Sequence, residues 1–194
     1  ASDLTGASSV TAQLDAGGGD ADLTGVVLDS RVTAIDLNGQ AAVLDTQDLG
    51  NATVGGAGSY TIKDSSTKVA GLSKALVKGK AISIVGSIDN SDITTIGTTL
   101  ESGAITYTAL ADSASSINGA LANIKAGVAV TVNDEAKGAE LKAISDKVAA
   151  IKGASLTAAN VTDEIAELIK VKTLLGSKTA VSYTHLTLPT NGCV

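Results

Sequence analysis

The sequence predicts an α/β fold built as a repeat, solenoid-like array of strand–helix–strand units about 48 residues long, and three observations carry that prediction. The first is self-similarity. Residues 64–79 match residues 112–127 at a constant offset of 48, with Asp64 on Asp112, Ser65 on Ser113, Val69 on Ile117, Gly71 on Gly119, Leu76 on Ile124 and Gly79 on Gly127. The second is a change of period inside each copy, from apolar residues at three- and four-residue steps to strict alternation, as expected for a helix followed by a strand. The third is composition: the 194 residues are 44% hydrophobic but include no Phe, Trp or Met and only three Tyr. The core must therefore be built from Val, Ile, Leu and Ala, which suit regular layers in which each unit buries its apolar face against its neighbours.

The N-terminal part, 1–58, reads as an incomplete, mostly β repeat. Residues 32–37 and 41–44 have strand character and flank Asn38-Gly39, a hairpin or tight-turn signal. Residues 59–180 carry the α/β repeats, with copies near 60–88, 105–132 and 153–180. In the first copy a strand at 60–62 leads into a helix over 64–79 with Val69, Leu72 and Leu76 on one stripe, and then into a strand through Ile82 and Ile84. The second copy repeats this with a strand at 105–107, a stripe of Ile117, Leu121 and Ile124, and a strand through Val128, Val130 and Val132. A shorter third copy runs from Asp163 to Gly176, with Ile165, Leu168, Ile169 and Leu175 as its apolar positions. Asp or Ser at each helix start can accept a bond from a free first-turn amide, and Gly at the far end tolerates a left-handed exit. The link after the first copy, 89–92, is short and polar, whereas 135–152 after the second is helical, with Leu141, Ile144, Val148 and Ile151 in step.

Charge removes several classes of function. With 20 acidic against 14 basic side chains and a net charge of −6, no basic stripe exists to neutralise phosphates, so no nucleic-acid partner is expected. No membrane insertion is expected either, because the apolar runs fall far short of the roughly 20 residues of a spanning helix. No charged-then-apolar leader opens the sequence and no Met occurs in it, so the natural N-terminus is expected to lie outside these residues. At the other end, the single His185, Pro189 and Cys193 all fall within 181–194. Residues 181–190 resemble the conceptual translation of a sequencing adapter, and 181–194 are accordingly read as a non-native tail and kept out of the fold. Without that tail the chain has neither His nor Cys, which removes histidine-based nucleophilic catalysis, Cys/His zinc sites, disulfides and thiol redox chemistry.

The pattern at 64–84 and 112–132, a strand, an acidic-plus-hydroxyl pair, an Ala/Leu helix, Gly and a Thr/Ile/Val strand, resembles the degenerate repeats of very large bacterial secreted and cell-surface proteins of hemolysin-like and adhesin-like type. The resemblance spans about residues 25–180. It implies a non-catalytic structural or adhesive segment, extracellular or at the cell surface, with neighbouring repeats of the parent chain as partners and a cell-surface or polysaccharide ligand. Two alternatives come with it: a calcium-dependent module like those of repeats-in-toxin proteins, and a fragment of a carbohydrate-active solenoid enzyme. The enzyme would need paired carboxylates in a cleft, and no such pair stands out.

Individual candidates are few. Gly17-Gly18-Gly19-Asp20-Ala21-Asp22 partly resembles the Gly/Asp calcium turn, which makes Asp20 and Asp22 the candidate calcium ligands and calcium the one candidate cofactor. Such sites need stacked turns, and a single incomplete motif reads more simply as a linker. Asp89 and Asp92 bracket an Asx turn. Asp64, Asp112 and Asp163 sit at equivalent places in three copies, as helix caps would, and not as an acidic triad. Tyr60 and Tyr107 are expected at matching strand positions, filling the core in preference to stacking on a sugar. No catalytic residue is assigned.

Overall fold

Alternation of small aliphatic with polar residues turns one face of each strand inward, and among the described residues every strand pair within either of the molecule's two compact units is parallel. The computed structural model describes residues 8–163, a mixed α/β chain whose units divide after Thr108. The third copy's helix and the 181–194 tail lie outside the described residues.

The first unit runs β1 (Val10–Gln13), β2 (Ala21–Asp22), β3 (Val32–Asp36), β4 (Ala41–Leu44), α1 (Thr46–Asn51), β5 (Thr53–Gly55), β6 (Ser59–Asp64), α2 (Ser66–Ala70), α3 (Lys74–Val77), β7 (Ala81–Ile84), β8 (Ser87–Ile88), α4 (Asn90–Leu100) and β9 (Ile105–Thr106). Two parallel sheets form, β1-β3-β5 and β2-β4-β6-β7-β9, each in ascending chain order. Ala41 pairs with Ser59 and Ile82 with Ile105, so partners stand 18 to 23 positions apart. Leu44, Ile62 and Ile82 are consecutive partners across the second sheet, all at most 1% exposed. Burying each such side chain contributes about 1.5–3 kcal/mol, and the helices of the same unit add buried Val69, Val77, Ile96 and Leu100.

In the second unit β10 (Ala109–Asp112), α5 (Ala114–Gly119), a 3-10 turn (Leu121–Asn123), β11 (Ala129–Ala136), α6 (Gly138–Ala149) and β12 (Ser155–Val161) follow in order. The parallel order is β10-β11-β12, with Leu110 on Val130 and Val130 on Leu156. Leu110, Ile117, Val130 and Ile144 are buried between sheet and helices.

Several sequence expectations are corrected here. Asn38 and Gly39, at φ 48 and 81, make the tight turn, closed by the Gln40 amide donating to the Leu37 carbonyl at 2.8 Å. It is not a hairpin, because β3 and β4 join different sheets. A two-residue turn only redirects the chain, and each strand finds its backbone partners in the turn of chain before and after it. The helix expected over 64–79 is two pieces, α2 and α3. Gly71 and Leu72 close i to i+3 bonds onto Lys68 and Val69, and Ser73 opens the next turn, so Val69 and Val77 are buried while Leu72 and Leu76 are half-buried. The second copy breaks at the matching place, leaving Ile117 and Ile124 buried and Leu121 half-buried.

The link at 89–92 is the start of the eleven-residue helix α4, with Asp89 as N-cap accepting from the Asp92 amide at 2.7 Å. Its threonines concealed it, since β-branched polar residues lower helix propensity. Here the hydroxyls of Thr94 and Thr98 donate to the carbonyls four residues back, both at 2.8 Å. Finally, Tyr107 does not match Tyr60. It follows β9, which pairs with β7, and the strand that enters the second copy's helix is β10. Among the described residues no helix is long and apolar enough to cross a membrane.

Candidate functional site

Polar chemistry in this chain concentrates where strands end and helices begin. A helix start leaves unpaired amides and a partial positive charge, which a carboxylate satisfies. Asp45 accepts from the Gln47 and Asp48 amides at 2.9 and 3.1 Å as the N-cap of α1, while its other oxygen accepts from the Gly25 amide at 3.0 Å in the preceding turn of chain. Asp64 repeats the pattern. It accepts from the Ser65 amide at 2.7 Å, and backwards from the Thr46 hydroxyl at 2.7 Å and the Thr46 amide at 3.3 Å, with Lys68 alongside. Asp92 accepts from the Ser66 hydroxyl at 2.5 Å.

In the second unit Asp134 accepts from the Ala114 amide at 2.7 Å and Asp163 from the Gly138 amide at 2.9 Å. Thr46, Ser66, Ala114 and Gly138 are the first residues of α1, α2, α5 and α6. The carboxylate of one turn of chain therefore finishes the helix start of the turn before it.

This revises the roles of Asp64, Asp112 and Asp163. The N-caps of α2 and α5 are Ser65 and Ser113, with Ser113 accepting from the Ser116 amide at 3.2 Å. Asp112 accepts from the Ser113 amide at 2.7 Å and the Ser116 hydroxyl at 2.6 Å, and Asp163 serves the helix of the preceding turn. Burial pushes the Asp64 carboxyl up, but the bonds from Thr46, Ser65 and Lys68 together outweigh it and hold the group below the usual carboxylate value. Asp48 goes the other way: burial beside the Asp45 charge raises it, although the Asp45 amide donates to it at 3.2 Å.

The two calcium candidates are placed apart in role. Asp20 is exposed in the loop after Gly19. Asp22 lies in β2, where its carboxylate accepts from the Thr24 hydroxyl and from the Thr24 amide at 3.0 Å and pairs with Lys63 at 3.3 Å. The Thr24 hydroxyl bond is the main reason its carboxyl lies below the ordinary value. Among the described residues no group of three or more His, Cys, Asp or Glu could hold a metal ion.

Tyr60 donates its hydroxyl to the Leu76 carbonyl at 3.2 Å, and the Lys80 ammonium sits 4.2 Å from its ring centre, a cation–π contact that covers one face. Burial raises the phenols of Tyr60 and Tyr107. Tyr60 also borders an open cleft of about 320 Å³ with Thr33, Asn51, Thr53, Val54 and Leu76 in its lining. Tyr60 is the only titratable side chain among the ten lining residues, so the cleft has no general acid or base suited to neutral pH.

Sequence reasoning missed Asp45, Asp134 and the backward reach of Asp92. The signal was present: Asp45, Asp64, Asp89, Asp112, Asp134 and Asp163 recur at steps of 19 to 29, a shorter rhythm than the offset of 48. No family model, no curated protein and no solved structure matches the chain.

Proposed function

We propose that this chain is a structural or adhesive segment of a large secreted or cell-surface bacterial protein, without catalysis of its own, and that each unit is a solenoid-like stack whose turns are about 20 residues long. The observation that carries this reading is the strictly ascending parallel pairing of strands, tied from turn to turn by aspartates at the helix starts. In such a stack each turn depends only on its neighbours, so length and a repeating face come from adding turns, which suits spacing, display and adhesion. The cleft beside Tyr60 lacks an acid–base pair among its lining residues, which favours binding or spacing over turnover. The resemblance to exoprotein repeats supplies the surface location.

Incubating the purified chain with bacterial and plant polysaccharides, and measuring both retention and the release of reducing ends, tests the reading. Retention without release fits an adhesive segment, and neither fits a spacer. Released reducing ends would overturn it in favour of a solenoid enzyme.

A further inference from the structure

We propose that Asn51 is an acceptor for asparagine-linked glycosylation, with the first sugar lying over the cleft beside Tyr60. The inference rests on the surface location proposed above for its occurrence in the cell, but its geometry is independent of that location. Asn51-Ala52-Thr53 has the Asn-x-Thr pattern in which the amide nitrogen is the nucleophile and the hydroxyl two residues on helps the transferase bind and activate it.

The fold presents both groups. Asn51 is the last residue of α1, exposed, and among the described residues its side chain makes no hydrogen bond. Ala52, extended at φ −134 and ψ 147 and buried, anchors the passage from helix to strand, and Thr53 opens β5 exposed again. The chain carries a second copy of the pattern, Asn160-Val161-Thr162, that serves as an internal contrast. Asn160 is exposed in β12, but the Thr162 hydroxyl oxygen is buried and, among the described residues, has no hydrogen-bond partner, so a transferase does not reach it in the folded chain.

The surroundings of Asn51 also suit a sugar. Beside it the cleft of about 320 Å³ offers the exposed hydroxyls of Thr33 and Thr53 and the ring of Tyr60, a neutral lining of hydroxyls and an aromatic edge. The reaction needs a nucleoside-diphosphate sugar and a separate glycosyltransferase. The Asn51 Nδ2 forms a bond to the anomeric carbon as the bond from that carbon to the phosphate oxygen breaks. The nucleoside diphosphate leaves with the electron pair, and the amide proton passes to the transferase's base.

The test incubates the folded full chain with an Asn-x-Thr-specific N-glycosyltransferase and uridine diphosphate glucose, followed by intact-mass measurement and peptide mapping. One hexose is expected on Asn51 and none on Asn160, with both modified once the chain is denatured. Thr53→Ala should abolish the addition at Asn51 and Thr53→Ser should retain it. An unmodified Asn51 in the folded chain, whatever the denatured chain shows, would overturn the proposal, as would Asn160 reacting as fast as Asn51. Because the readout is made on the isolated chain, such a failure leaves the proposed surface role standing. Polysaccharide turnover by the chain would sink that role without touching the acceptor geometry.

Discussion

The turn of chain from β6 to β7 and the turn from β10 to β11 carry the same frame with different fittings. Both leave a strand on Asp-Ser, form a short helix, break after about one and a half turns, and return through a left-handed glycine, Gly79 in one and Gly127 in the other. Val69 and Ile117 sit at the same depth, 1% and 0% exposed. The bonds to the helix start differ: the first copy's Ser66 donates its hydroxyl to Asp92, while the second copy's Ala114, having no hydroxyl, donates its backbone amide to Asp134. The position just after the returning glycine differs too, since Lys80 reaches over Tyr60 whereas Val128 is buried. Burial depth and turn geometry thus define the unit, and the identity of the polar donor is free to vary as long as a carboxylate receives it.

The largest effect should come from charging the shared depth. Val69→Asp and Ile117→Asp each place an unpaired carboxylate in a sealed site, and each should lose at least about 4 kcal/mol in urea unfolding, or fail to fold. Tolerance of one but not the other would break the equivalence of the two turns. Leu121→Asp, at a half-buried position, should cost only about 1–2 kcal/mol.

Next in size are the carboxylates. Asp134→Ala removes the acceptor for the amide that opens α5 and should cost about 1 kcal/mol, the scale of a helix cap, read from the shift of the urea midpoint. Asp64→Asn should act through pH. The folded-state carboxyl of Asp64 lies below its unfolded value, so its contribution is full above the ordinary carboxylate range and is lost as pH falls through that range toward the lower folded value. The stability difference between the parent chain and Asp64→Asn should therefore shrink from pH 7 toward pH 3. A difference that stays constant or grows on acidification would show that the bonds to Thr46 and Ser65 do not favour the charged form.

Of similar size is Tyr60→Phe, which leaves the Leu76 carbonyl without its donor and should cost about 1 kcal/mol, with no counterpart among the described residues of the second unit. Smallest is Lys125→Asp on an exposed position, expected within about 0.5 kcal/mol of the parent. Millimolar calcium should leave the melting temperature unchanged, because Asp22 is already engaged by Thr24 and Lys63. A rise that disappears in Asp20→Ala would return Asp20 to the role of a ligand.

Legibility in the sequence followed the strength of local signals. The strands through Ile62, Ile82, Val130 and Val132 and the helix through Leu141, Ile144 and Val148 were readable because each has one clean period. Asn38-Gly39 announced a tight turn, yet which strands it joins depends on partners some 20 residues away, and no local signal encodes those. The single long helix at 64–79 failed because Leu72 and Leu76 keep the apolar rhythm across a break set by Gly71 and Ser73. The aspartates carry no local signal of the helix they serve. Their use is relational: Asp134 means little beside its own helix and a great deal beside Ala114.

Every one of those backward bonds points the same way along the chain, and this gives the fold a direction in time as well as in space. A helix start such as Gly138 stays incomplete until Asp163, 25 residues later, has arrived to accept its amide, so each newly made turn completes its predecessor. Peeling the chain from its later end uncaps the turn left behind and exposes a bare helix start to the next loss, whereas peeling from the earlier end leaves only carboxylates that water readily solvates. Erosion should then advance more easily from late turns to early ones, and a chain growing or emerging in order would be sealed from the front as it goes.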